Sequence, residues 1–217
     1  MTEDETLDDL RPRLAAALPA NAAFDGWGEA ALAMAAEEVG VDLDVARLAF
    51  PGGGIDMIDA WFAAVDREML ARLPADTLAA MKVRERITAL VQTRLDIVAE
   101  DVEALRRAAA LLALPQNLPR AARLDWRAAD VMWRAAGDTA TDFNHYSKRA
   151  ILGGVYAACV LVLLGDESEG FADTGAFLRR RIDGIMRFEK FKRRFGQDAP
   201  DRLSLARFLG RLRYPAV

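Results

Sequence analysis

Residues 130–166 constrain the fold of this chain more than any other stretch. They read DVMWRAAGDTATDFNHYSKRAILGGVYAACVLVLLGD. The first half mixes Trp133, Phe143, His145 and Tyr146 with Asp138, Asp142, Asn144, Lys148 and Arg149. The second half, from Ala150 to Leu164, holds no charged residue, and its one hydroxyl is on Tyr156. A helix over this run has Thr141 or Asp142 as an N-cap and Gly165 as a left-handed C-cap. A helix that is apolar on all sides for four turns must be covered on all sides. The run falls short of the roughly 20 apolar residues that cross a bilayer. The expectation is a central buried helix in an all-α domain.

The rest of the chain fits that class. Of 217 residues, 53% are hydrophobic and 29% charged, the balance of a globular protein with a sizeable core. Alanine, leucine and arginine dominate, which favours helix nearly throughout. A single cysteine, Cys159, lies inside the apolar run and excludes an internal disulfide or a cysteine-rich metal site. The acidic start, MTEDETLDDL, lacks the basic-then-apolar form of a signal peptide, so the expected compartment is the cytoplasm.

Periodicity and breakers place the remaining helices. Leu7 to Leu18 is expected to stop at Pro19, Glu29 to Val39 at Gly40, and Asp42 to Phe50 at Pro51 and the glycine triplet 52–54. Ile55 to Leu73 follows, then one long helix from Asp76 to Glu100 and another from Val102 to Leu114. Beyond PQNLP, helices are expected over Pro119–Ala136 and, after the central one, over Phe171–Phe195. Two short helices joined at Gly40-Val41 have the order of a helix-turn-helix unit, and residues 1–73 resemble the N-terminal domain of TetR-type regulators. The would-be recognition helix, however, offers phosphate only Arg47 beside Asp42 and Asp44. A packing subdomain without nucleic-acid chemistry is expected, and a TetR-type regulator with an apolar effector pocket is the alternative.

Charge is distributed unevenly about the net value of -4. Residues 1–50 carry 11 acidic and 3 basic side chains, whereas residues 177–213 carry 12 basic and 4 acidic ones. In the tail, expected to begin at residue 196, Leu205, Phe208, Leu209 and Leu212 form one narrow apolar face, with Arg207 and Arg211 beside it. Such a helix lies in a membrane interface or docks on its own domain. Catalytic signals are few. His145 is the sole histidine, and no phosphate loop, dinucleotide glycine pattern or nucleophile elbow occurs. The expectation is a binding protein without catalytic or metal-ligating residues, in which Gly153 and Gly154 could leave room for an apolar ligand.

The run MWRAAGDTATDFNHYSKRAILGGVY resembles the signature of the coenzyme Q biosynthesis protein nine family. The similarity continues through LLGDESEGFADTGAFLRRRID and more weakly back to residues 76–100, about the C-terminal two-thirds of the chain. The resemblance implies a TetR-like all-α fold, a homodimer, and phospholipid or isoprenoid quinone held as ligand in an apolar cavity of residues 74–195. It implies a non-enzymatic accessory protein, with no cofactor, that presents a quinone precursor to a di-iron hydroxylase of ubiquinone synthesis. A patch of Met132, Trp133, Asp142, Phe143, Asn144, His145, Tyr146 and Arg149, or its support, would meet that hydroxylase. His145 departs from the tryptophan of mitochondrial relatives at this place, so the contact would be built differently here. The cavity wall is expected at Val91, Leu95, Leu152, Val155, Tyr156, Cys159 and Val160. The tail would attach to membrane, giving a peripheral protein at the inner face of the cytoplasmic membrane.

Overall fold

The structure is a computed structural model that describes the backbone of residues 6–139 and 143–196, with side-chain surroundings for 6–139 and 145–185. Among the described residues there are ten α-helices and no strand. The chain divides into two compact units, Met1–Arg179 and Arg180–Val217. The boundary expected near residue 73 falls between helices of the first unit.

α1 (Leu7–Asp25) starts on Thr6, whose hydroxyl accepts from the Asp9 amide at 3.3 Å while the Asp9 carboxylate accepts from the Thr6 amide at 3.1 Å. The expected stop at Pro19 is corrected: α1 runs through Pro12 and Pro19 to Gly26. Each internal proline removes one backbone donor. The loss is offset by burial, since Leu10, Leu14, Leu18 and the Pro19 ring all face inward against α2 (Glu29–Val39), α4 (Gly54–Arg72) and α7 (Val102–Leu112). α2 ends at Gly40 with a left-handed φ of 73°, as its sequence requires. α3 (Leu43–Ala49) is capped by the Asp42 carboxylate. Its Arg47 is held by Glu29 and Asp44.

The glycine triplet marks a close approach to a neighbouring backbone. A Cβ on Gly54 would lie 2.2 Å from the Trp27 carbonyl oxygen. Trp27 in turn stacks on Trp61 at 5.1 Å and donates its Nε1–H to the Ala104 carbonyl on α7 at 2.9 Å. Gly54→Ala is therefore expected to push α4 off this tryptophan and to destabilise the protein by about 1–3 kcal/mol, the scale of overpacking. Urea unfolding checks it; an unchanged midpoint would mean that the backbone yields freely at this point.

The single helix expected from Asp76 to Glu100 is two, α5 (Ala75–Ala79) and α6 (Val83–Glu100). Lys82 is extended, and the Glu85 carboxylate accepts from its amide at 2.9 Å, so a new helix start sits within the apolar stripe. α8 (Leu118–Ala135) comes after a short 3-10 turn, then α9 (Phe143–Leu163) and α10 (Ala172–Gly196). The nominated N-cap Thr141 or Asp142 lies outside the described residues. Gly165 has no left-handed φ. Instead the chain tightens after α9, the Gly165 amide reaching back to Val162 at 3.0 Å. Asp166 then ties down the turn into α10 by accepting from the Ser168 and Thr174 hydroxyls. Those hydrogen bonds hold the Asp166 carboxyl well below the usual carboxylate range.

α9 corrects the central expectation. Its 19-residue window His145–Leu163 has a mean hydropathy of 1.3 and is long and apolar enough to cross a membrane by length and composition, because its polar first turns add to the apolar run. It packs on α8 and α6. It is not covered on all sides: Leu152, Val155, Tyr156, Cys159 and Leu163 are buried, whereas Ala150, Ile151, Gly154, Ala157 and Leu161 face outward. The apolar run exceeds what α6 and α8 can cover.

Candidate functional site

Between α7, α8 and α9 the first unit encloses a half-open cavity of about 300 Å³. Its walls are carbon: Phe62 from α4, Leu105, Ala109 and Leu112 from α7, Leu118, Ala121 and Leu124 from α8, and Ala157, Val160 and Leu161 from α9. Local patterning explains the shape. α7 repeats Leu105, Ala109 and Leu112 at helical spacing, and the alanines of all three helices withdraw side-chain volume from the middle. Leu118 and Leu161, 53% and 71% exposed, line the cavity where it meets solvent.

Three polar residues also line it: Arg94, Asp125 and Tyr156. The Arg94 guanidinium is buried, donates from Nε to the Asp66 carboxylate at 2.9 Å and from Nη1 to the Tyr156 hydroxyl, and lies 4.7 Å from the Tyr156 ring centroid. Asp66 also meets Arg127 Nε at 3.6 Å, and Arg127 pairs with Asp59, as does Arg120 at 2.9 Å. Burial would lower the Arg94 pKa, but the Tyr156 and Asp66 partners outweigh it and hold the value up. Burial raises the Tyr156 phenol against the pull of Arg94. It also raises the Asp125 carboxyl, again opposed by Arg94. Asp125 lies over Gly153, where a Cβ would stand 2.2 Å from its Oδ2.

Of the residues nominated for a cavity wall, Tyr156 and Val160 line this one. Val91, Leu95, Leu152, Val155 and Cys159 are buried and do not line it. Phe62, Arg94, Leu105 and Asp125 were missed. The apolar repeat of α7 was the available signal, and nothing local marks Arg94 as an inward charge.

The second constellation is the corner where α8 passes to α9. Arg149, 2% exposed, donates from Nε to Asp130 at 2.6 Å and from Nη1 to Asp138 at 3.1 Å and to the His145 carbonyl at 3.0 Å. Lys148 pairs with Asp138 at 2.6 Å and lies 5.2 Å from the Trp133 ring centroid, while Trp133 Nε1 donates to the Lys148 carbonyl at 3.0 Å. Burial would raise the Asp138 pKa, yet the hydrogen bonds and charges of Lys148 and Arg149 hold it low. Met132 is buried and Trp133 half-buried. Tyr146 is 60% exposed, its ring 5.1 Å from His145 and 6.1 Å from Trp126. Arg149 and Met132 thus support the corner, and Tyr146 presents a ring at its surface. Asp142 lies outside the described residues, as do Leu205, Arg207, Phe208, Leu209, Arg211 and Leu212, and the side-chain surroundings of Phe143 and Asn144 are likewise not described. No cluster of potential metal ligands occurs among the described residues.

The fold and its half-open cavity define an all-α protein with a TetR-like architecture. The structure of a TetR transcriptional regulator from Nitrosomonas europaea matches with a TM-score of 0.64 and 24% identity, over 80% of this chain and 96% of that one. At that identity the likeness speaks for fold alone. The COQ9 family model matches residues 118–189, which carry α8, α9 and the start of α10. Relatives named as the mitochondrial ubiquinone biosynthesis protein COQ9 share 33% identity in Rattus norvegicus, over 74% of this chain and 54% of that protein, and 31% in Bos taurus, over 84% and 59%. The chain thus carries a COQ9 family domain over residues 118–189 and is similar to these relatives over most of its own length, while it spans a little over half of theirs. Their names correct one expectation: the relatives are mitochondrial proteins, which overturns the reading of a cytoplasmic protein at the inner face of the cytoplasmic membrane.

Proposed function

We propose that this protein serves ubiquinone biosynthesis as a lipid-binding accessory, without catalysis of its own, and presents an isoprenoid quinone precursor to a di-iron hydroxylase. The observation that carries the reading is the carbon-walled, half-open cavity in a chain whose relatives are named for ubiquinone biosynthesis. An apolar pocket of this kind offers a lipid an alternative to the bilayer. The α8–α9 corner, with Tyr146 exposed beside Trp126, supplies the aromatic surface suited to a protein partner. The outward Ala150 and Gly154 on α9, which do not line the cavity, suit a homodimer seam, since small residues let a second helix approach closely. The cationic tail, residues 196–217, would hold the protein at a membrane surface.

Native mass spectrometry of the purified full chain, followed by organic extraction, tests the reading. The expected result is about one isoprenoid quinone or phospholipid per chain. A protein that stays empty after incubation with quinone-loaded vesicles would sink it.

A further inference from the structure

We propose that the wall formed by Tyr156 and Asp125 is a hydrogen-bonding seat for a neutral oxygenated ring, a quinone or phenol, which enters the cavity ring first and leaves its chain at the mouth. The inference rests on the lipid-binding reading of the same cavity and assigns the orientation of the ligand and the side chains that hold its ring.

Tyr156 carries the argument. Its hydroxyl accepts from Arg94 Nη1, and a guanidinium has no lone pair with which to accept in return. The tyrosine's own hydrogen has no acceptor among the described residues, although the side chain is buried at the cavity wall. A buried O–H without an acceptor favours a ligand oxygen opposite it. Asp125 is the second group. It lines the same cavity, no hydrogen bond to its carboxyl occurs among the described residues, and only a glycine at position 153 leaves space for it. Desolvation favours its protonated form, in which it can donate to a carbonyl as well as accept from a phenol.

Charge selects a neutral head. Arg94 is already met by Asp66, and Asp66 by Arg127, so no uncompensated cation faces the cavity to hold a phosphate. Asp125 would repel one whenever ionised. Size points the same way. About 300 Å³ is the lower end of ligand pockets and equals roughly ten water volumes, room for a substituted ring and the start of a chain. A long polyprenyl chain must lie largely outside, past the exposed Leu118 and Leu161.

Calorimetric titration of the full chain with hexyl-para-benzoquinone and with hexylbenzene, which has the same outline without the oxygens, tests the orientation. The wild-type protein is expected to prefer the quinone by about tenfold, the scale of one buried hydrogen bond. Tyr156→Phe should abolish that preference while hexylbenzene binds as before. Asp125→Leu, which leaves the partners of Arg94 in place, should reduce it as well, and this second variant keeps the test valid if Tyr156→Phe unfolds. Equal affinity of the two probes for the wild type, or a preference kept in both variants, overturns the ring-first seat and leaves the lipid-carrier reading standing. Failure of both probes to bind overturns both readings.

Discussion

Arg149→Ala is expected to destabilise the protein by about 3–5 kcal/mol, the cost of breaking a buried ion pair by removing one partner. The guanidinium joins Asp130 on α8, Asp138 in the loop and the first turns of α9, so it closes the corner between the two helices. Its loss leaves Asp138 nearly buried with Lys148 as the remaining cation and takes a donor away from Asp130. Urea unfolding followed by circular dichroism measures the loss; a change under about 1 kcal/mol would assign the pair to the weak class typical of exposed ions. The effect is pH-dependent with a definite sign. Although burial opposes it, Lys148 and Arg149 hold Asp138 below its ordinary value of 3.8, and Arg149 and Arg134 do the same for Asp130. A depressed carboxylate contributes its stability in full above the ordinary value and loses it as pH falls through the lower folded one. The gap between wild type and variant should therefore be wide at about pH 7 and shrink towards about pH 3.

This result also bears on the proposed partner surface. Arg149 and Met132 belong to the signature run, yet both are buried, so their substitution would weaken any contact made by α8 and α9 without touching it. Tyr146, exposed beside Trp126, is the position where a substitution separates contact from support. The sequence shows the residues of this corner together because they lie within about twenty positions of one another. It does not show which of them turn inward, since that depends on where Asp130 and Asp138 come to rest.

The same distinction runs through the fold. Helix type and order were legible, because alanine-rich periodic segments punctuated by glycine caps leave little choice. The exceptions have tertiary causes. Pro19 stays inside α1 because burial of its ring against neighbouring helices outweighs one lost hydrogen bond. α9 reads as wrapped on every side, but an apolar face states only that cover is favourable, not that this chain provides it. Apolarity alone places the cavity on the face of α9 towards α6, where Val91 and Leu95 make core contacts. It opens instead towards α7 and α8, where alanines leave space. Spacing identifies a stripe; the residual volume between three stripes depends on how the helices cross.

Arg94 is the clearest case of a residue whose role no local pattern announces. It interrupts the apolar stripe of α6 between Val91, Leu95 and Val98, and it is buried because Asp66 and Tyr156, 28 and 62 positions away, bring it a carboxylate and a hydroxyl. Arg94→Met is expected to cost about 3–5 kcal/mol, because Asp66 is then left buried with only the more distant Arg127. Most of that loss should return in the double variant Arg94→Met, Asp66→Leu, which removes both charges and fills the space with carbon. Replacement of a buried pair by packed apolar residues is often neutral or better, so the double variant should lie within about 1–2 kcal/mol of the wild type. A double-mutant cycle by urea unfolding decides the matter. Additive losses would mean that each side chain contributes through separate contacts, Arg94 through the Phe62 and Tyr156 rings and Asp66 through Arg127. Recovery would mean that the pair fixes where a charge sits rather than how stable the unit is. On that outcome the buried arginine's contribution is to orient the Tyr156 hydroxyl at the cavity wall, a task a methionine cannot perform however well it packs.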